Sequence, residues 1–364
     1  MSIYGAQSVD SPRHDDTAQA YDALLFLSFG GPEGMDDVMP FLRNVSRGRN
    51  IPDARLAEVA HHYEGFGGIS PINEQNRALI TAMEADFAAN GLHLPIYFGN
   101  RNWHPMVTDT ITQMKADGIK RVLVFVTSAF SCYSGCRQYR EDVTNALELL
   151  QLTKEDIQFD KIRVYYNHPD FIGTMVTKTR EGLAKLPESD APVHLVFTAH
   201  SIPNSMAAGS DYEVQLNEAS RLVAEEAGVG DWSLVYQSRS GPPQIPWLEP
   251  DVCDYIDTLA EQGVKRIAII PIGFISDHME VLFDLDNEAL SKAAEVGIDA
   301  VRISTVGTDP RFVGMIRKLV VERMTASPER ECAGCRGPNH DVCPVGCCAK
   351  GESARPRPAA NPVS

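Results

Sequence analysis

Eight short, continuously apolar runs punctuate this chain, and they constrain its fold more than any other feature. The first four are ALLFLSF (23–29), PIYFG (95–99), RVLVFVT (121–127) and IRVYY (162–166). The second four are VHLVFTA (193–199), SLVYQS (233–238), KRIAIIPIGF (265–274) and AVRIST (300–305). Runs that are apolar throughout predict strands buried on both faces. The stretches between them have helical length and amphipathic patterning, as in residues 72–91 and 217–228. Strand and helix in alternation give βαβ units and a parallel sheet. The reading is an α/β chain with two Rossmann-like domains, each on a four-stranded parallel sheet. The segment LPESDAP (186–192) reads as the linker, which sets the halves at 21–185 and 186–328. The halves also begin alike, with LSFGGP (27–32) and FTAHSIP (197–203), a weak internal repeat.

Charge narrows the class of partner. Lys and Arg number 33 against 49 Asp and Glu, a net charge of −16. That balance argues against nucleic acid or an anionic membrane surface as the main partner. No apolar run approaches the roughly 18 residues of a membrane span. Residues 1–20 are polar, lack a signal-peptide core and are expected to be flexible. The Pro/Ala-rich tail 349–364 is expected to be disordered. A cytoplasmic location follows as the expectation, and in a reducing compartment cysteines serve metal or redox chemistry rather than disulfides.

Ligands of open parallel sheets sit beyond the carboxyl ends of the strands. His200 ends one buried strand, and Glu280 follows another in GFISDHMEVLFDLD (273–286). On one helix, Asp277, Glu280 and Asp284 would share a face, with no Lys or Arg between 267 and 291 to neutralise them. Such a stripe suits a cation or moving protons; the competing reading is a solvated acidic face beside a structural histidine. GGPEG (30–34) matches neither dinucleotide nor P-loop patterns and reads as a tight turn. GFGGISP (65–71) permits close backbone approach and offers Ser70 as a donor. Arg43, Arg47, Arg49 and Arg55 cluster within an acidic protein and can bind carboxylates, or else form a solvated helix end.

Five of the eight cysteines, Cys332, Cys335, Cys343, Cys347 and Cys348, crowd into 17 residues. Their spacing is not that of a zinc ribbon. An iron–sulfur cluster needs four thiolates, one of which can come from far away in the sequence. Cys132 and Cys136, in FSCYSGCRQY after a strand, are the suppliers to consider; Cys253 reads as a buried apolar thiol.

Six ordered motifs, LSFGGPEGMDDVMPFL, YEGFGGISPI, YFGNRNWHP, FTAHSIP, YQSRSGPPQIPWLEPDV and IGFISDHMEVLFDLD, together resemble the ferrochelatase family over residues 22–325. The resemblance implies two chelatase-type domains with a porphyrin cleft between them, and Fe²⁺ as the inserted substrate. It implies that His200 and Glu280 are the iron-binding and proton-handling pair, with Asp277 and Asp284 on an acidic path for iron or protons. Phe29, Tyr63, Gly67, Gly68 and Trp247 suit the cleft wall. The segment DVMPFLRNVSRGRNIPD resembles the soluble monoderm branch that metallates coproporphyrin III, with Arg47, Ser70 and Tyr166 at propionate-contacting positions. Phe29 stands where Firmicute members carry a tyrosine ligand, which shifts axial ligation of product iron to His200. SGCRQY and the cysteine tail resemble actinobacterial members holding a 2Fe–2S cluster. The expected ligands are Cys136, Cys335, Cys343 and Cys348, with Cys132, Cys332 and Cys347 as alternates in a segment spanning 329–348.

The reading is thus a coproporphyrin III ferrochelatase, with a downstream heme-synthesis enzyme as the expected recipient of coproheme. Its rivals are a protoporphyrin IX ferrochelatase, a cobalt chelatase, and a non-catalytic tetrapyrrole carrier or Fe–S redox sensor. A carrier needs neither base nor iron relay, so His200 together with Glu280 speaks against the last.

Overall fold

The computed structural model describes residues 17–48 and 51–351. The expectations for residues 1–16 and 352–364, and Arg49, lie outside the described residues. Strands β1 (Ala23–Ser28), β2 (Ile96–Asn100), β3 (Arg121–Val126) and β4 (Gln158–Lys161) form one parallel sheet in the order β2-β1-β3-β4. A second parallel sheet holds β5 (His194–His200), β6 (Trp232–Gln237), β7 (Arg266–Ile270) and β8 (Asp299–Arg302), in the order β6-β5-β7-β8. Shifting every number by four converts the first order into the second. The internal repeat is therefore one of topology, deeper than the two short motifs that hinted at it.

The first half carries helices α1 (Met35–Val45), α2 (Asp53–Glu64), α3 (Ile72–Ala89), α4 (Val107–Ala116), α5 (Gln138–Leu149) and α6 (Pro169–Leu183). The second carries α7 (Asn204–Ala207), α8 (Tyr212–Ala227), α9 (Val252–Glu261), α10 (Met279–Val281), α11 (Leu290–Glu295) and α12 (Pro310–Thr325). Two π-helical segments, Tyr133–Arg137 and Leu282–Ala289, adjoin α5 and α10.

Alternation along β1 sorts its side chains between two cores. Ala23, Leu25 and Leu27 face α4 and α5, where Val107, Ile111, Met114 and Val143 cover them. Leu24 and Phe26 face the opposite way into a core shared with Leu195, Phe197, Ala268 and Ile270 of the second sheet. The filling of that shared core comes from α3, α6, α8 and α12, through residues such as Met83, Phe171, Leu216 and Ile316. The order of layers is therefore sheet, helices, sheet. Each large side chain fully buried there contributes about 1.5–3 kcal/mol. No helix among the described residues is long and apolar enough to cross a membrane.

One strand differs from expectation. IRVYY (162–166) is not β4; the ladder runs through Gln158–Lys161, and Ile162 N adds one last bond to Val124 O at 3.0 Å. Arg163 is the reason. Its buried guanidinium leaves the sheet for Glu322 on α12, at 2.7 and 3.0 Å, and takes the chain with it toward α6.

Candidate functional site

The carboxyl ends of both sheets open toward shared ground. Phe29, just past β1, packs against an apolar cluster that joins Phe41, Tyr63 and Trp103 of the first half to Met279 of the second, and Phe283 packs against the same cluster. The Phe41 ring meets Phe29 edge-on at 6.3 Å. Two glycine positions let this wall close. A Cβ on Gly31 would lie 2.7 Å from the Ser70 Cβ, and Gly68, at φ +78°, lies against the Met35 backbone. Gln75 joins the halves by two reciprocal bonds of 2.9 Å to the backbone of Asp277. His62 of α2 stacks on Phe283 at 4.2 Å.

His200 is the last residue of β5, a central strand. Its Nδ1 lies 2.5 Å from the Ser201 carbonyl oxygen. A carbonyl only accepts, so the geometry assigns the proton to Nδ1 and leaves the Nε2 lone pair free. Nε2 faces the Glu280 carboxylate at 3.9 Å, and both side chains are part-exposed. Tyr212 steadies the strand end by donating to the His200 carbonyl at 3.0 Å. The Trp247 segment is fastened to the same loop: Asn204 N donates to Pro246 O and Leu248 N to Ile202 O, both at 3.0 Å.

The acidic segment is not the single helix that the sequence suggested. Asp277 precedes α10 and is held by Arg302 at 2.7 Å, while Asp286 receives two bonds from the same guanidinium at 2.6 and 2.7 Å. The neutralising cation comes from β8, so it was invisible within 267–291. The file without a Lys or Arg partner among the described residues is instead Glu280 of α10 with Asp284 and Glu288 of the adjoining π segment, four residues apart, where a wider turn keeps such spacing in line. Burial pushes Asp284 up to about 6, and the charges of Glu280 and Glu288 add to the effect. Ser238, at φ +60°, and Gln237 donate to its Oδ2, the latter at 3.2 Å. Burial also raises Glu288. Glu288 was missed, although its spacing of eight from Glu280 was readable.

The remaining expected contacts divide. Ser70 packs against Gly31 and donates its N–H to Pro32 O at 2.9 Å. Arg43 pairs with Asp53 and Arg55 with Glu58 on the surface, whereas Arg47 has no ion-pair partner among the described residues. Tyr166 is not on this wall. It is buried beside Phe130, near Arg336 and Cys332, and burial lifts its phenol to about 12. The expectation for Tyr166 rested on the resemblance alone and on no strand-end position; here burial beside Phe130 keeps the side chain away from the wall. Arg101 is a wall residue that the sequence did not single out. Its guanidinium lies 5.8 Å from the Phe29 ring, pairs with Asp142 and donates to Ser134 O at 3.3 Å.

Four thiols gather at one place: Cys136, Cys343, Cys347 and Cys348. Cys343 and Cys348 each lie beside Cys136 and Cys347, and the ligand atoms of His340, Cys343 and Cys347 lie within 4.8 Å of one another. The Cys347 and Cys348 sulfurs are 3.6 Å apart, and His340 Nε2 is 3.7 Å from Cys347 Sγ. The neighbouring thiols pull Cys136 and Cys347 below the usual thiol range, and Lys161 and Arg140 add positive charge at Cys136. Cys335 does not belong to the group. It is exposed, because Asn167 holds the 333–337 loop aside through Ala333 N at 2.7 Å and Gly337 O at 2.9 Å. Cys332 lies near Tyr166 in that same loop. Cys132 accepts from Gly135 N at 3.1 Å and so caps the π turn. Four converging thiols with nearby positive charge fit a four-thiolate group, with Cys347 in the place expected of Cys335.

Comparison with known proteins places the chain in a family. The profile of the family described as Ferrochelatase matches residues 21–324. The chain is 52% identical over 361 residues to the coproporphyrin III ferrochelatase of Streptomyces griseus, covering 93% of this chain and 96% of that one. It is 55% identical over 329 residues to a ferrochelatase of Rhodopirellula baltica, covering 90% and 93%. A coproporphyrin III ferrochelatase of Nocardia farcinica is 48% identical over 343 residues, covering 91% and 97%. The solved structure of SirB from Bacillus subtilis with Fe³⁺ superposes with a TM-score of 0.54 at 11% identity, covering 86% of this chain and 99% of that one, a likeness of fold alone. With the profile spanning most of the chain and relatives matched nearly end to end, this chain belongs to the ferrochelatase family.

Proposed function

We propose that this chain inserts Fe²⁺ into coproporphyrin III to give coproheme, working between functional halves 21–185 and 186–328 in the cytoplasm and passing its product to a downstream heme-synthesis enzyme. The observation that carries the chemistry is His200 Nε2 facing Glu280 at 3.9 Å, at the strand end where open sheets bind ligands. The relatives named as coproporphyrin III enzymes support the choice of porphyrin.

Metallation exchanges two pyrrolic N–H protons for one Fe²⁺. Imidazole and carboxylate together suit ferrous iron without the trapping grip of thiolates. In this reading the one lone pair of His200, on Nε2, takes each pyrrolic proton in turn and passes it to Glu280, and is free to ligate the iron only once the protons have left. A carboxyl titrating near 6 can accept and release protons close to neutral pH, so Asp284 relays them from Glu280 toward Glu288. Asp277 is committed to Arg302 and orients the segment rather than carrying the path. Phe29 has no ligand atom, which leaves His200 as the residue that would hold the product iron. Ser70, Trp247 and Phe29 grip the macrocycle, and Arg47 meets a propionate. Tyr166 has no part in binding.

A 2Fe–2S cluster would be held by Cys136, Cys343, Cys347 and Cys348. Such a group supplies one-electron chemistry, which insertion of ferrous iron does not require.

Anaerobic Fe²⁺ insertion into coproporphyrin III and protoporphyrin IX, measured side by side, tests the reading. The expected result is a clear preference for coproporphyrin III, reduced in Arg47→Ala. Equal or reversed preference in the unaltered protein sinks the coproporphyrin assignment.

A further inference from the structure

The thiol group stands at a joint between the two halves. Cys136 lies in the π turn Tyr133–Arg137, which follows β3 of the first half. The same turn presents Ser134, whose carbonyl accepts from Arg101, the residue packed on Phe29. Ser134 Oγ also reaches Met206 Sδ of α7 at 4.0 Å, and α7 begins four residues after His200. Ser131, just before the turn, exchanges bonds of 2.7 and 3.0 Å with Gln215 of α8. The walls that carry Phe29 and His200 therefore meet at one edge.

The chain that runs on from the thiols covers this edge. Lys350 Nζ lies over the Tyr133 ring at 5.4 Å, on the first half. Ala349 packs on Gly209, and Gly351 sits directly on Ser205 and Met206, on the second half. Gly351, at φ +80°, is in the left-handed region, and a Cβ there would fall 2.8 Å from Ser205 Oγ and 3.1 Å from Met206 N. The segment 343–351 thus touches both walls, and its other attachment is the burial of Cys343 and Cys348 in the same core as Cys136.

We propose that the thiol group and the strap 343–351 form a clasp across the cleft edge, so that filling the thiol group holds the two porphyrin-gripping walls at a fixed separation and sets the affinity for the porphyrin. The proposal rests on the assignment of a metal group to these thiols and of a porphyrin to the cleft. An unfilled group leaves only thiol–thiol contacts at the anchor; a filled one would replace them with coordinate bonds to the same four sulfurs. The link is one of coupling between two sites through an element that both bias.

Two variants test it from opposite ends of the strap, read by porphyrin fluorescence titration without iron and by hydrogen exchange. Gly351→Val crowds the docking face while keeping every cysteine. It should retain wild-type iron and sulfide content, which also shows that it has folded. It should bind coproporphyrin III about tenfold more weakly, with faster exchange across 131–137 and 204–208. Cys348→Ser removes the anchor and should lose iron and sulfide and weaken binding in the same direction. Wild-type affinity and exchange in Gly351→Val, or wild-type affinity in cluster-free Cys348→Ser, overturns the clasp. Failure of the underlying assignments looks different: unaltered protein with zinc, or without iron and sulfide, removes the cluster, and unaltered protein that binds no porphyrin removes the cleft reading.

Discussion

His200 and Glu280 show how much of a reactive pair the sequence can expose. Each follows a run apolar enough to be a buried strand, and the open-sheet rule directs attention to such positions. The finer distribution of charge was less legible, because Arg302 reaches Asp277 and Asp286 from a different strand. Glu280→Gln keeps size and removes the base, and kcat for iron insertion should fall by about 10²-fold. Asp284→Asn should cost less activity and should change stability with a definite sign. Burial raises the folded-state value of Asp284 to about 6, above its unfolded value of 3.8. Its stabilising contribution is therefore complete below the unfolded value and lost as pH rises through the folded one. Asp284→Asn should raise Tm relative to the unaltered protein at pH 7.5, and the gain should vanish near pH 4. A variant less stable at pH 7.5 would mean that the bonds from Ser238 and Gln237 outweigh the burial of the charge.

Elements were legible where periodicity was long and ambiguous where it was short. Residues 72–91 read as a helix and form α3 over Ile72–Ala89. The run 162–166 has the composition of a strand, but the ladder with β3 stops at Lys161 although β3 continues to Val126, and Arg163 draws the chain off to Glu322. The cysteine segment shows the same limit. Spacing says how far apart thiols can reach, not which way the loop turns. Here Gly334, at φ +74°, and the grip of Asn167 on Ala333 and Gly337 turn Cys335 outward, while Cys347 lands beside Cys348. Anaerobically purified Cys335→Ser should therefore keep its full iron and sulfide, and Cys347→Ser should lose most of both. Loss of iron and sulfide in Cys335→Ser would return that residue to the ligand set.

The whole molecule carries −16, and its two proposed substrates have opposite charge. Coproporphyrin III bears four propionates; Fe²⁺ is a dication. Beyond contact distance each substrate meets the summed field rather than any one residue. Locally, the arginines of the first half do little to reverse that field: Arg43 is spent on Asp53 and Arg55 on Glu58. The net field should therefore attract iron and repel the porphyrin, leaving porphyrin affinity to short-range contacts within the cleft. Salt tests this directly, because the screening length falls from about 30 Å at 0.01 M to about 8 Å at 0.15 M. Over that range kcat/KM should fall several-fold for Fe²⁺ and rise for coproporphyrin III, each measured with the other substrate saturating. The porphyrin Kd, set at contact, should move less than its association rate, since steering acts on encounter more than on the bound state. A fall in kcat/KM for both substrates would show that Arg47 and its neighbours, rather than the net charge, govern how the porphyrin arrives.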